Sequence, residues 1–131
     1  MRITGIDHLV LTVASIEAAV DFYSRVLGME VITFGQGRTA LRLGGQKINL
    51  HAARAPIAPH ADRPVPGSAD LCLVAVGGID AAAAHLAACG VPVELGPVER
   101  AGARGPVRSL YVRDPDRNLV ELAFYDGAAE A

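Results

Sequence analysis

Apolar residues recur along this chain with two periods. Over residues 7–13, Leu9, Leu11 and Val13 alternate with His8, Val10 and Thr12, which predicts a strand with one face turned to a core. Over about 16–27, Ala19, Phe22, Tyr23 and Val26 recur at helical spacing, and Ser15 stands where an N-cap belongs. Three shorter strands are expected near 30–36, 39–43 and 47–51, with GQG and GG as their turns. The order then returns: a strand at about 70–76, a helix at about 79–89, and strands near 91–98, 107–113 and 118–125. The segment DPDRN reads as a turn that delivers the last strand. The tail DGAAEA is expected to fray.

The recurrence is a repeat. DHLVLTVASIEAAVDFYSRVLGMEV from Asp7 aligns with ADLCLVAVGGIDAAAAHLAACGVPVEL from Ala69, with one residue inserted. Each predicted helix ends at a glycine, Gly28 and Gly90, suited to the left-handed conformation past a helix terminus. The predicted fold is α+β: two tandem βαβββ modules, 3–55 and 68–126, within one domain of residues 1–131. Between them lies a Pro- and Ala-rich linker with His60 on its surface.

Composition narrows the partners. The chain is 51% hydrophobic and 20% charged with a net charge of −2, enough apolar content for a core and no cationic cluster for nucleic acid or an anionic membrane. No apolar run reaches the roughly 18 residues of a membrane-spanning helix. The opening MRITGIDH lacks the apolar block of a secretory leader, so a cytoplasmic location is expected. Cys72 and Cys89 lie in apolar segments without CxxC spacing and read as buried free thiols.

The predicted strands carry isolated ionisable residues. His8 opens the first, Asn49 and His51 share a face of the fourth, and Glu121 lies in the last. Asp70 stands at the repeat position of His8. A buried unpaired carboxylate is costly. Two imidazoles and a carboxylate around a divalent first-row ion would relieve that cost and leave coordination positions open. A histidine satisfied within the sheet and a glutamate on a solvated face are the alternatives.

IDHLVLTV, AVDFYSRVLGMEV and VRDPDRNLVEL together resemble the vicinal oxygen chelate superfamily. That group includes glyoxalase I, fosfomycin-resistance thiol transferases, extradiol dioxygenases and bleomycin-resistance proteins. GGQKINLHAA and PVPGSADLCLV are further similar to a glyoxalase-domain subgroup, some of whose members are called virulence-associated. The resemblance implies a cup-shaped mixed sheet around a divalent metal (Zn, Ni, Mn, Co or Fe), and a homodimer in which modules pair across chains. It implies ligands at His8, His51, Asp70 and Glu121, with Asn49 as an alternative to His51, and Asp70 either a ligand or an acceptor of linker N–H bonds. Glu121 would also move a proton. The implied activity is a metal-dependent lyase or isomerase acting on a small α-oxo compound or its thiol adduct. Ring cleavage, thiol transfer to an antibiotic using Arg38, Arg42, Arg108 or Arg113, and metal-free ligand sequestration remain open. Loops at 33–39 and 99–107 would rim the cup.

Overall fold

Alternation along the strands decides which side of each sheet is covered. The computed structural model describes residues 1–126, so the predicted fraying of the tail falls, from residue 127, outside the described residues. The chain forms two compact units that divide between Ser68 and Ala69. Unit 1 runs β1 (His8–Val13), α1 (Ile16–Asp21), β2 (Glu30–Phe34), β3 (Arg38–Leu43) and β4 (Gln46–Ala52). Unit 2 runs β5 (Asp70–Val74), α2 (Ile79–Ala88), β6 (Leu95–Gly102), β7 (Gly105–Arg113) and β8 (Leu119–Tyr125). The sheets have matching orders, β1-β4-β3-β2 and β5-β8-β7-β6, so the repeat seen in sequence is a repeat of topology. In each, the first strand pairs parallel with the last and the other pairings are antiparallel.

In unit 1, Leu11 and Val13 are buried with Ala19, Phe22, Tyr23 and Val26 from the helical segment. Ser15 caps α1 as expected, its hydroxyl accepting from the Ala18 N–H at 3.1 Å. The helix does not run uniformly to residue 27. From Phe22 to Val26 it widens into a π-helical turn. The Ser24 hydroxyl there donates back to the Val20 carbonyl, a side-chain bond that competes with the α-helical ladder. In unit 2, α2 ends at Cys89, Gly90 takes φ +72°, and Val91 N–H reaches the Leu86 carbonyl at 2.9 Å, a Schellman closure.

Three expectations need correction. β6 starts at Leu95 rather than 91 and runs to Gly102, with a register shift between Leu95 and Val98. Gly96 passes so close to β7 that a Cβ there would run into the Ser109 carbonyl. The segment 99–107 is no loop: Gly102 pairs with Gly105 across a two-residue turn. The 33–39 segment, by contrast, is the strand–turn–strand expected around GQG, with Phe34 opposite Arg38. Finally, the cysteines are free but not buried: Cys72 is exposed and Cys89 half-exposed. On β5 it is Leu71 and Leu73 that turn inward, and alternation leaves Cys72 on the other face with Asp70. No helix among the described residues is long and apolar enough to cross a membrane.

Candidate functional site

Each sheet keeps one face away from its helix, and the ionisable residues singled out in the sequence lie on those faces. In unit 1, His8 opens β1 with Nδ1 2.8 Å from the Asp7 carboxylate. The carboxylate accepts, so the neutral ring carries its proton on Nδ1 and keeps the Nε2 lone pair free, the orientation of a carboxylate-supported metal ligand. His51 differs. It is buried in β4, and its Nε2 lies 3.2 Å from Arg38 Nη2. A guanidinium only donates, so Nε2 accepts and its lone pair is engaged. Burial first, then the charges of Arg38 and His60, hold its pKa below the usual histidine value.

Between these rings lies Asn49, buried, with an Oδ1 that has no hydrogen-bond partner; it is the only such atom among the buried side chains of the described residues. A buried unpaired acceptor costs about 1–3 kcal/mol. An amide oxygen left without a partner is a donor that could serve a cation.

In unit 2, Glu121 is half-buried at the middle of β8, opposite Tyr111 on β7 and Cys72 on β5. The buried Ser109 hydroxyl donates to Glu121 Oε2 at 2.7 Å and fixes the carboxylate. Cys72 bonds to the same carboxylate; desolvation first, then the Glu121 charge and that bond, push its thiol up to about 11. Asp70 is exposed on the same face, two residues before Cys72. Among the described residues it accepts none of the linker N–H bonds expected of it. The Ala69 N–H goes to Asn118 Oδ1 at 2.9 Å. Asn118 is held in turn by the buried Asp114 carboxylate, which accepts from Asn118 N–H at 2.9 Å and Asn118 Nδ2 at 2.8 Å. This network inside DPDRN sets where β8, and therefore Glu121, begins.

Register sorts the candidates. His8 and Asp70 open equivalent strands. Asn49 pairs with Val10, two residues past His8, and Glu121 pairs with Cys72, two residues past Asp70. Asn49 and Glu121 are therefore equivalent, and His51, which pairs with Thr12, corresponds to Ala123. Along the paired strands His51 lies four residues from the level of His8, roughly 13 Å, whereas Asn49 lies at about half that. Among the described residues no three His, Cys, Asp or Glu side chains group as a metal would require. Each unit alone offers a pair of candidate donors. One contributor, Ser109, escaped the sequence reading, and only the strand register, once known, places it beside Glu121.

Known proteins share this sequence pattern and this fold. Residues 5–122 match the family described as Glyoxalase/Bleomycin resistance protein/Dioxygenase superfamily. The chain is 48% identical over 125 residues to virulence protein STM3117 of Salmonella typhimurium, covering 95% of this chain and 87% of that protein. The crystal structure of STM3117 superposes with a TM-score of 0.93, covering 95% of this chain and 99% of that chain. Glyoxalase domain-containing protein RDO1 of Mycosarcoma maydis is 50% identical over 128 residues, covering 98% of this chain and 72% of that protein. Lactoylglutathione lyase from Agrobacterium tumefaciens is 25% identical with a TM-score of 0.71, covering 95% of this chain and 96% of that chain.

Proposed function

The chain belongs to the glyoxalase/bleomycin resistance protein/dioxygenase superfamily, and on that premise we propose that it is a metal-dependent lyase or isomerase acting on a small α-oxo compound or its thiol adduct. The observation that carries the reading is the buried, unpartnered Asn49 Oδ1 at the register position of Glu121. The donors we propose are His8 through Nε2, Asn49 through Oδ1, Asp70 and Glu121, with His51 a hydrogen-bond partner of Arg38 rather than a ligand. One imidazole, one amide oxygen and two carboxylates suit Zn²⁺, Ni²⁺, Mn²⁺, Co²⁺ or Fe²⁺. Such an ion, when bound, stabilises charge developing on two adjacent substrate oxygens.

The remaining roles fall to protein groups. Ser109 holds Glu121 Oε2 in place, which leaves the carboxylate oriented to take a proton from the carbon beside a carbonyl and return it to the neighbouring carbon. Asp7 orients the His8 ring. We further propose a homodimer: Val10 and Val74, on the faces away from the helices, are 45% and 60% exposed and suit an apolar contact. The test is metal content of the purified protein, followed by chelation and metal add-back, with the adduct of methylglyoxal and glutathione as trial substrate. About one ion per chain and metal-restored turnover are expected. Unaltered metal binding in His8→Ala and Glu121→Ala would overturn the ligand assignment, and absence of metal would overturn the enzyme reading.

A further inference from the structure

Unit 1 sets two cations against one aromatic ring. Phe34 ends β2, Arg38 opens β3 directly opposite it, and Lys47 lies on β4 opposite Arg42. The Lys47 ammonium stands 3.7 Å from the centre of the Phe34 ring and the Arg38 guanidinium carbon 4.8 Å. All three residues are half-buried. Neither cation has a carboxylate partner among the described residues. The acids of this unit with partners are engaged elsewhere: Glu30 with Arg42 at 3.7 Å and Asp21 with Arg25 at 3.0 Å as ion pairs, and Asp7 in its hydrogen bond to His8. Lys47 also borders a shallow recess of about 260 Å³ shared with Asp7, Ile32 and Arg42.

This arrangement is costly as it stands. Two like charges share a partly dehydrated surface, and a ring face attracts each by only about 0.5–2 kcal/mol. It supplies no net negative charge. The other arginines available in the sequence are otherwise engaged or otherwise placed. Arg113 makes two bonds to Glu94, at 2.9 and 3.0 Å, and Arg108 lies on the opposite face of its sheet, paired with Phe124. Arg38, one of whose Nη atoms also donates to His51, and Lys47 are thus the cations without a carboxylate partner on the face that also carries His8 and Asn49.

We infer that this face binds the carboxylate of a small organic acid, with the Arg38 fork and the Lys47 point charge as its two contacts. An arginine fork matches a planar carboxylate, and an adjacent ammonium supplies a compact second charge. Phe34 sets the spacing of the two cations and offers an apolar surface to the rest of the ligand. Anion binding stands on unit 1 alone. Its identification with the substrate, which becomes an α-oxo acid rather than a neutral aldehyde, rests on the enzyme reading above.

The experiment titrates the full-length, EDTA-treated protein by two-dimensional amide NMR with pyruvate, with neutral pyruvamide, and with methylphosphonate. Pyruvate is expected to bind saturably, with shifts centred on β2 to β4, and pyruvamide at least about tenfold more weakly. Arg38→Gln and Lys47→Gln should each weaken pyruvate by about tenfold or more and erase the preference over pyruvamide. Arg38→Lys should retain the preference at lower affinity. Arg25→Gln, which removes a charge from the helical segment, should change nothing. Native-like spectral dispersion in each variant separates loss of binding from loss of folding. Equal binding of pyruvate and pyruvamide, no binding of pyruvate, or indifference to both glutamine variants overturns the inference. Tighter binding of methylphosphonate overturns the carboxylate assignment. If the protein binds pyruvate but no metal, the enzyme reading fails and this one stands; if it binds metal but no anion, the reverse holds.

Discussion

Replacing Asn49 by valine should move stability and metal affinity in opposite directions. Asn49 is 5% exposed in the middle of β4, between β1 and β3, and its Oδ1 has no partner. An unpaired buried acceptor costs the folded state about 1–3 kcal/mol, and replacing it by an apolar group of similar volume recovers much of that. Valine also suits a central strand. The metal-free variant should therefore be more stable than the parent by about 1–2 kcal/mol, a melting shift of roughly 4–10 °C for a protein of this size. With metal the sign reverses. A hundredfold loss in affinity from one missing donor removes about 2.7 kcal/mol of ligand-linked stabilisation at a fixed saturating concentration. Thermal melts of parent and variant, in EDTA and in excess Zn²⁺, Mn²⁺, Co²⁺ or Ni²⁺, measure both effects. Asn49→Asp is the complementary arm: a buried carboxylate lowers metal-free stability and raises metal affinity. A metal-free Asn49→Val protein that melts at or below the parent temperature refutes the account of the orphaned oxygen. An undiminished metal-induced shift refutes its role as a donor.

Asp114→Ala removes the acceptor of the Asp116 and Asn118 N–H groups and of Asn118 Nδ2. It should cost about 2–4 kcal/mol in urea denaturation, and a loss under about 0.5 kcal/mol would show that the turn is held by other contacts. At pH 8 and without metal, Cys72 should react with iodoacetamide far more slowly than an ordinary thiol, because its pKa of about 11 leaves little thiolate. Glu121→Gln should speed that reaction by removing the adjacent charge, with peptide mapping to separate Cys72 from Cys89, and an equal rate would remove Glu121 from the causes. His51 is held below 6.5, so its neutral form is the one the fold prefers: its contribution is full above that value and is lost as pH falls below it. Stability measured from pH 7.5 down to pH 5 should decline less steeply in His51→Gln than in the parent, and parallel curves would show that His51 is not responsible.

The division between what could be read from the sequence and what could not follows the range of the interactions involved. Alternation within β1 needs only six neighbouring residues, so the inward Leu11 and Val13 and the outward His8 were legible, as were the Ser15 cap and the glycines Gly28 and Gly90. The same rule applied to β5 puts Cys72 beside Asp70, but the apolar neighbours Leu71 and Leu73 masked it, since composition reports a segment and alternation reports a side chain. The choice between Asn49 and His51 was not legible, because it depends on which residue of β4 sits opposite Val10, some 40 positions away in the chain. A slip of one residue in that pairing would carry every side chain of the strand to the other face, and a slip of two would substitute one candidate for the other. Lys47 shows the same limit: in sequence it is one of 12 basic residues in a chain with no cationic run, and it gains meaning only when β2 brings Phe34 beneath it. The proposed donors of a metal and the proposed contacts of an anion both depend on the long-range pairing. The repeat made one of them recoverable, because a register established in unit 2 by Cys72 and Glu121 can be carried to Val10 and Asn49 in unit 1.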